Sequence, residues 1–259
     1  MRAYIPTPSV SQLAVGPLTI HFYAILIIVG IFVAISVAKK RSPQNANLIN
    51  EVAAYAIPSG IVGARIYHVI TTPDKYFSRN FLAALRIWEG GLGIWGAIIG
   101  GALGVHFALK KYSKSGEFFV IADALAPGLL IAQAIGRFGN WFNGELFGRP
   151  TKLPWALEIP IVNRPPELIN YETFHPTFLY EAIWCLLVAL VILKLRNVKT
   201  GQIFWLYVAL YSLGRLFIEL LRTDFSHLIF GIRLNVWTSL LCLIFGAWQY
   251  LKIEREKVG

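Results

Sequence analysis

Apolar residues in this chain gather into seven runs of about twenty, near residues 19–38, 52–70, 91–109, 118–136, 177–195, 202–221 and 234–251, with polar and basic residues between them. A helix that crosses a bilayer needs about 20 mostly apolar residues. The pattern therefore predicts an all-α integral membrane protein with about seven transmembrane helices. The first run, Thr19 to Ala38, holds His21 as its only potential charge. The fourth is the weakest, because Asp123, Pro127, Gly128 and Gln133 interrupt it, and polar or broken helices in membranes face protein or water. No heptad, low-complexity stretch or linker divides the chain. A single membrane domain over 1–259 is expected, with an external loop at about 137–176.

Composition excludes an ordinary soluble protein: 56% of the 259 residues are apolar, 15% are charged, and the mean hydropathy is +0.58. The formal net charge of +10 would suggest nucleic acid in a soluble chain, but here the basic residues follow alternate runs. Lys39, Lys40 and Arg41 follow the first, Lys110, Lys111 and Lys114 the third, Lys194, Arg196 and Lys199 the fifth, and Lys252, Arg255 and Lys257 the seventh. These four segments hold half of the 24 Lys and Arg residues. The positive-inside rule makes them cytoplasmic, with the N-terminus and the loops around 71–90, 137–176 and 222–233 outside. A cleaved signal peptide is not expected, because its positive charge precedes the apolar run. Cys185 and Cys242 sit inside apolar runs, which gives a disulfide framework or zinc site no support.

Chemistry concentrates on the outer side. Gly136-Arg137-Phe138-Gly139-Asn140-Trp141-Phe142-Asn143-Gly144-Glu145-Leu146-Phe147-Gly148 sets an arginine, two asparagines and a glutamate among glycines just after a span. The arginine fork suits phosphate, and the asparagine amides suit ester or glycerol oxygens. A capped helix end with a snorkelling arginine explains the same run. Inside the sixth run, Tyr211, Arg215 and Glu219 recur every four residues and share one helical face, with Arg222 just beyond. An arginine in an apolar helix costs at least about 2.5 kcal/mol on insertion scales, so it faces the interior and a partner. Either an Arg215–Glu219 pair that fixes packing or a second phosphate clamp fits. His175-Pro176-Thr177-Phe178-Leu179-Tyr180-Glu181 opens the fifth run and carries Glu181 into the membrane. His21, Tyr23 and Arg65 belong to the same side, where each alone reads as a cap or interfacial anchor. The glycine-rich run Gly90 to Gly101 allows close approach of a helix or a lipid, and Trp88 and Trp95 fit an interfacial aromatic belt.

The run from Gly136 to Gly148 resembles the signature of bacterial prolipoprotein diacylglyceryl transferases. The resemblance extends through His21-Phe22-Tyr23, Gly63-Ala64-Arg65, residues 90–101, His175-Pro176, Leu179-Tyr180-Glu181 and Tyr211 to Arg222. It implies a multi-pass enzyme of the bacterial cytoplasmic (inner) membrane with its active site toward the outer face. The implied reaction moves the diacylglyceryl group of phosphatidylglycerol to the lipobox cysteine thiol of a prolipoprotein signal peptide, forming a thioether and releasing glycerol phosphate, with no cofactor, metal or nucleic acid. By position, Arg137 matches the family's essential signature arginine, which contacts the lipid headgroup, and Arg215 a second essential arginine. Asn140, Glu145, Gly148, Tyr23, Tyr211 and Glu219 match other positions implicated in activity. The signature usually has Phe where this chain has Trp141, which keeps an aromatic ring. Many members have a histidine, proposed as a base, where this chain has Trp95, and an indole cannot take that role.

The expected site thus comprises Arg137, Arg215, Glu145, Tyr23, His175 and Glu219 for chemistry, and Arg137, Asn140, Asn143, Gly148, Tyr211 and Arg215 for substrate. Arginines prepositioned in a partly dehydrated cavity would stabilise charge growing on the departing phosphate oxygen and favour the thiolate of the incoming cysteine. Glu145, His175 and Glu219 are the candidate bases. Both arginines are expected to point into one cavity that opens sideways to lipid. A small anion transporter lined by Arg137, Arg215 and Glu219 is the rival class. Against it, no inverted repeat is evident and the polar groups gather at one face.

Overall fold

The computed structural model describes residues 4–16, 18–77, 81–87 and 90–256. Trp88 and Lys257, expected at an aromatic belt and in a basic cluster, lie outside the described residues. The chain is mostly helical, and the apolar runs are the reason. Helix α1 spans Phe22–Arg41, α2 Ala46–Thr71, α3 Pro73–Phe77, α4 Ile94–Lys111, α5 Phe118–Asn143, α6 Thr177–Lys194, α7 Gln202–Leu221 and α8 Leu234–Arg255. Five of these, α1, α5, α6, α7 and α8, are long and apolar enough to cross a membrane. The other two predicted runs form α2 and α4.

Three expectations need correction. The fourth run is an unbroken helix through Pro127. It also continues to Asn143, so Arg137, Asn140 and Asn143 project from the last turns of α5, and the segment beyond begins at Gly144. His21 likewise ends a strand, one residue before α1 starts.

The chain divides into two compact units, residues 39–121 and residues 1–38 with 122–259. In the first, α2 and α4 pack backbone to backbone. A β-carbon on Gly104 would stand 2.7 Å from the Tyr55 carbonyl oxygen, and one on Gly63, Gly96 or Gly100 would collide with the facing backbone. The 90–101 run therefore serves helix contact, the small-residue packing that drives association where lipid removes the hydrophobic drive. Arg65 is buried here and donates to the carbonyl oxygens of Ala83, Ala84, Arg86, Gly90 and Gly91. Its guanidinium holds that loop in shape.

In the second unit, Ala126, Leu130 and Ala134 of α5 meet Ala182, Cys185, Val188, Ala189 and Ile192 of α6 and Ile203 of α7 in one core. Helix α1 reaches α5 where Gly128 carries no side chain, since a β-carbon there would be 2.6 Å from the Ala34 carbonyl oxygen. The segment after α5 is folded around its own core. Strand β4 (Leu157–Glu158) pairs parallel with β1 (Ile5–Pro6) and antiparallel with β5 (Thr173–Phe174). Phe147, Leu157, Ile159, Phe174 and Phe178 are buried beneath them. Two hairpins complete the unit, β2 (Gln12–Val15) with β3 (Leu18–His21), and β6 (Leu228–Ile229) with β7 (Ile232–Arg233).

Candidate functional site

The C-terminal ends of α5 and α7, the N-terminal end of α6 and the start of α8 bring seven charged side chains into one chain of contacts. Arg137 Nη2 lies 2.6 Å from Glu181 Oε1, and Arg215 Nη1 lies 2.8 Å from Glu181 Oε2. Arg215 Nη2 reaches Glu219 Oε2 at 2.6 Å, and Arg233 Nε reaches Glu219 Oε1 at 2.9 Å. Arg222 donates through Nε and Nη2 to the two Asp224 oxygens at 2.6 and 2.8 Å, and its Nη1 stands 3.8 Å from Glu219. Arg233 Nη2 is 3.4 Å from Asp224. Four arginines thus meet three carboxylates, and Glu145 joins the network as a fourth through Asn140.

Burial makes that pairing matter. The Glu181 and Glu219 side chains are 4% and 0% exposed, and the arginines range from 9% to 22%. Desolvating such ions is costly, and only close pairing with full hydrogen bonding compensates. Glu219 has it, since Asn235 Nδ2 adds a third donor at 3.0 Å. Both its oxygens are occupied by donors, and it anchors α7 to the start of α8. Outside the apolar helices, burial would raise the Asp224 pKa, but the Arg222 hydrogen bonds and the Arg222 and Arg233 charges hold it below the usual carboxylate value.

Glu181 links the two arginines that sequence brought forward. Spacing showed it entering the membrane, yet it was absent from the expected site. A carboxylate inside an apolar run is itself a cost that demands a cation, and that signal could have placed it there. Tyr211 also donates to Glu181 Oε1 at 3.2 Å. Arg233, Asn235 and Asp224 were missed as well, because their segment shows no spacing that points toward α7.

Beside this chain lies a cavity of about 10 Å³, near the volume one water needs, lined by Arg137, Asn140, Leu146, Thr177, Phe178, Glu181 and Arg222. Arg137 therefore faces the cavity as expected, whereas Arg215 does not line it and stands behind Glu181. Arg137 Nη1 donates to Asn140 Oδ1 at 3.2 Å, and Asn140 and Asn143 both donate to Glu145 Oε1 at 3.0 Å. Glu145 is exposed. Gly148 packs so closely that a β-carbon would be 2.8 Å from His175 Cβ. Its N–H donates to the His175 carbonyl at 2.9 Å, and it bridges to Arg222.

His175 is not among the residues that line the cavity. Its Nδ1 is 3.1 Å from the Tyr180 hydroxyl, which accepts from Trp155 Nε1 at 3.0 Å. Burial and the Arg149 charge push the His175 pKa down. Tyr23 lies against Gly139, where a β-carbon would overlap its ring. The Trp141 ring stacks on Phe178 at 5.8 Å and its Nε1 donates to the Pro6 carbonyl at 2.9 Å, a bond that phenylalanine could not make. Cys185 is buried in the helix core, and both cysteines are free.

Residues 10–252 match the family model described as prolipoprotein diacylglyceryl transferase. The chain is similar to proteins named phosphatidylglycerol--prolipoprotein diacylglyceryl transferase from three bacteria. It is 46% identical over 264 residues to that of Frankia casuarinae, covering 99% of this chain and 63% of that protein. It is 43% identical over 273 residues to that of Bifidobacterium adolescentis, covering 98% and 81%, and 47% identical over 263 residues to that of Cutibacterium acnes, covering 98% and 88%. The chain therefore spans less than two thirds of the Frankia protein and more than four fifths of the other two.

Proposed function

We propose, for a chain that belongs to the prolipoprotein diacylglyceryl transferase family, that it transfers the diacylglyceryl group of phosphatidylglycerol to the cysteine thiol of a prolipoprotein lipobox. The observation that carries this reading is that two arginines, Arg137 and Arg222, line one cavity with Asn140. The negative phosphodiester of a phospholipid headgroup is the group that guanidinium forks suit.

The substrate thiolate attacks the glycerol carbon that bears the phosphate. A carbon–sulfur bond forms, the carbon–oxygen bond breaks, and the electron pair goes to the phosphate oxygen of the departing glycerol phosphate. Arg137 receives that growing charge from a fixed position, which stabilises it more than reorienting water would. Glu181 and Asn140 fix the Arg137 guanidinium, and Arg215 fixes Glu181 from behind. The thiol proton needs an acceptor. Of the three candidates, Glu219 is enclosed by donors and His175 bonds Tyr180, whereas Glu145 is exposed and bonded to Asn140 of the cavity wall. Glu145 is the base this geometry favours.

The same reading places seven spans in the inner membrane, α2 and α4 included, with the N-terminus outside. Supporting it, Lys39, Lys40 and Arg41 close α1, Lys110 and Lys111 close α4, Lys194 closes α6, and Lys252 and Arg255 close α8. The site belongs to the opposite, outer ends. Purified protein incubated with phosphatidylglycerol and a lipobox peptide should yield a thioether-linked lipopeptide and free glycerol phosphate. Anion uptake into proteoliposomes without that product would reject the reaction.

A further inference from the structure

We infer that Arg222, and not Arg215, is the second cation on the lipid phosphate: with Arg137 it lines a cavity that has room for one water here and that must widen to admit a phosphate. The inference rests on the reading of this site as a phosphatidylglycerol headgroup pocket. Of the four linked arginines, Arg137 and Arg222 line the cavity. Arg215 commits Nη1 to Glu181 and Nη2 to Glu219 and, unlike Arg137, is not among the residues that line the cavity.

Arg222 is held differently. Asp224 takes its Nε and one Nη2 proton, a side-on grip that leaves the end edge of the guanidinium. Nη1 lies 3.8 Å from Glu219, beyond hydrogen-bonding distance. An end edge of two nitrogens is the fork that matches two phosphate oxygens. The backbone beneath it is fixed on both sides. Arg149 N–H donates to the Leu221 carbonyl at 2.9 Å, Gly148 bridges to Arg222, and the Thr223 hydroxyl donates to the Phe147 carbonyl at 3.3 Å. Gly148 permits this contact, because a β-carbon there would be 3.1 Å from the Leu221 carbonyl oxygen.

The two arginines of α7 and its end then have separate roles. Arg222 is a binding residue that touches the headgroup phosphate. Arg215 is a positioning residue that acts through Glu181 on Arg137. Replacing them should therefore alter different kinetic constants.

The test compares R222Q, R222K and R215Q, purified into bilayer discs whose phosphatidylglycerol fraction is varied against phosphatidylcholine. Transfer to a lipobox peptide is followed together with inhibition by added glycerol phosphate, and lipid retention by native mass spectrometry gives a reading independent of turnover. R222Q should raise the apparent KM for phosphatidylglycerol and weaken glycerol phosphate inhibition, each about tenfold, the scale of one charge-assisted contact. The peptide KM should not move. R222K keeps a cation beside Asp224 and should shift both constants the same way by less, which preserves the test if R222Q does not fold. R215Q should lower kcat with both headgroup constants near wild type. Wild-type headgroup constants and lipid retention in R222Q, or the KM shift appearing in R215Q instead, would overturn the assignment. If wild-type protein retains phosphatidylglycerol but makes no lipopeptide, the reaction is wrong, while retention by R222Q still decides the role of Arg222.

Discussion

Arg137, near the end of α5, reaches Glu181, in the first turns of α6, across 2.6 Å, and this pair joins the cavity wall to the buried ions behind it. Removing the shared carboxylate leaves Arg137 without its ion pair and Arg215 with Glu219 alone. Breaking a buried pair typically costs about 3–5 kcal/mol. Glu181→Gln should lower the thermal unfolding temperature in detergent and reduce transfer sharply. A variant as stable and active as wild type would mean that Glu181 does not tie the arginines together.

Arg137→Ala should abolish transfer in a protein that still inserts and folds. Arg137→Lys should restore little, because one ammonium cannot span the Asn140 and Glu181 contacts made by separate nitrogens of the fork. Lipopeptide formation by the lysine variant at the wild-type rate would remove the fork from the mechanism.

Gly139→Ala tests how Tyr23 is seated. Alanine is the better helix former by about 1 kcal/mol, so α5 itself should gain. The new methyl group would instead occupy the space of the Tyr23 ring and push it off the helix. Transfer should fall to a level near that of Tyr23→Ala, with unfolding little changed. Undiminished activity in Gly139→Ala would show that this seating is irrelevant.

The double variant Cys185→Ala, Cys242→Ala should keep its activity, since the reacting thiol belongs to the substrate. Cys185 is buried in the helix core, so a loss of about 1 kcal/mol in stability is expected from the small cavity. Loss of turnover in a well-folded double variant would point to a covalent enzyme intermediate.

Acid should weaken the protein partly through His175. Its pKa is depressed in the folded state, so the unfolded chain takes up the proton first as pH falls. Stability is then full above the ordinary histidine value near 6.5 and declines below it, until the folded-state pKa is also passed. Melting temperatures from pH 8 to 5 should fall less steeply for His175→Gln than for wild type. Parallel curves would show that His175 makes no such contribution.

Much of this architecture was readable because one physical rule dominates a chain in lipid. Gln202–Leu221 of α7 coincides with the sixth apolar run, and the spacing of four from Arg215 to Glu219 left an ion pair and a phosphate clamp both open; the ion pair forms, at 2.6 Å. The end of α5 was misread, since the glycines and asparagines of 136–143 signal a turn in water but stay helical here. That Glu181 needs a cation was legible from its place in an apolar run, but that Arg137 and Arg215 supply it depends on which helices are neighbours. The donors from Arg233 and Asn235 to Glu219 cross from one helix to the next through a hairpin. Only the folded chain reveals such a partner.

The parallel pairing of β1 with β4 also sets a timetable. The Thr7 hydroxyl donates to the Glu158 carbonyl across 151 positions of sequence. At synthesis rates of about 5–20 residues per second, the first strand waits roughly 10–30 s for its mate to be made. Glu219 must in turn wait for Arg233 and Asn235. Arg137 likewise waits for Glu181, which follows it in the chain, and until that carboxylate is made the guanidinium lacks the ion pair that fixes it.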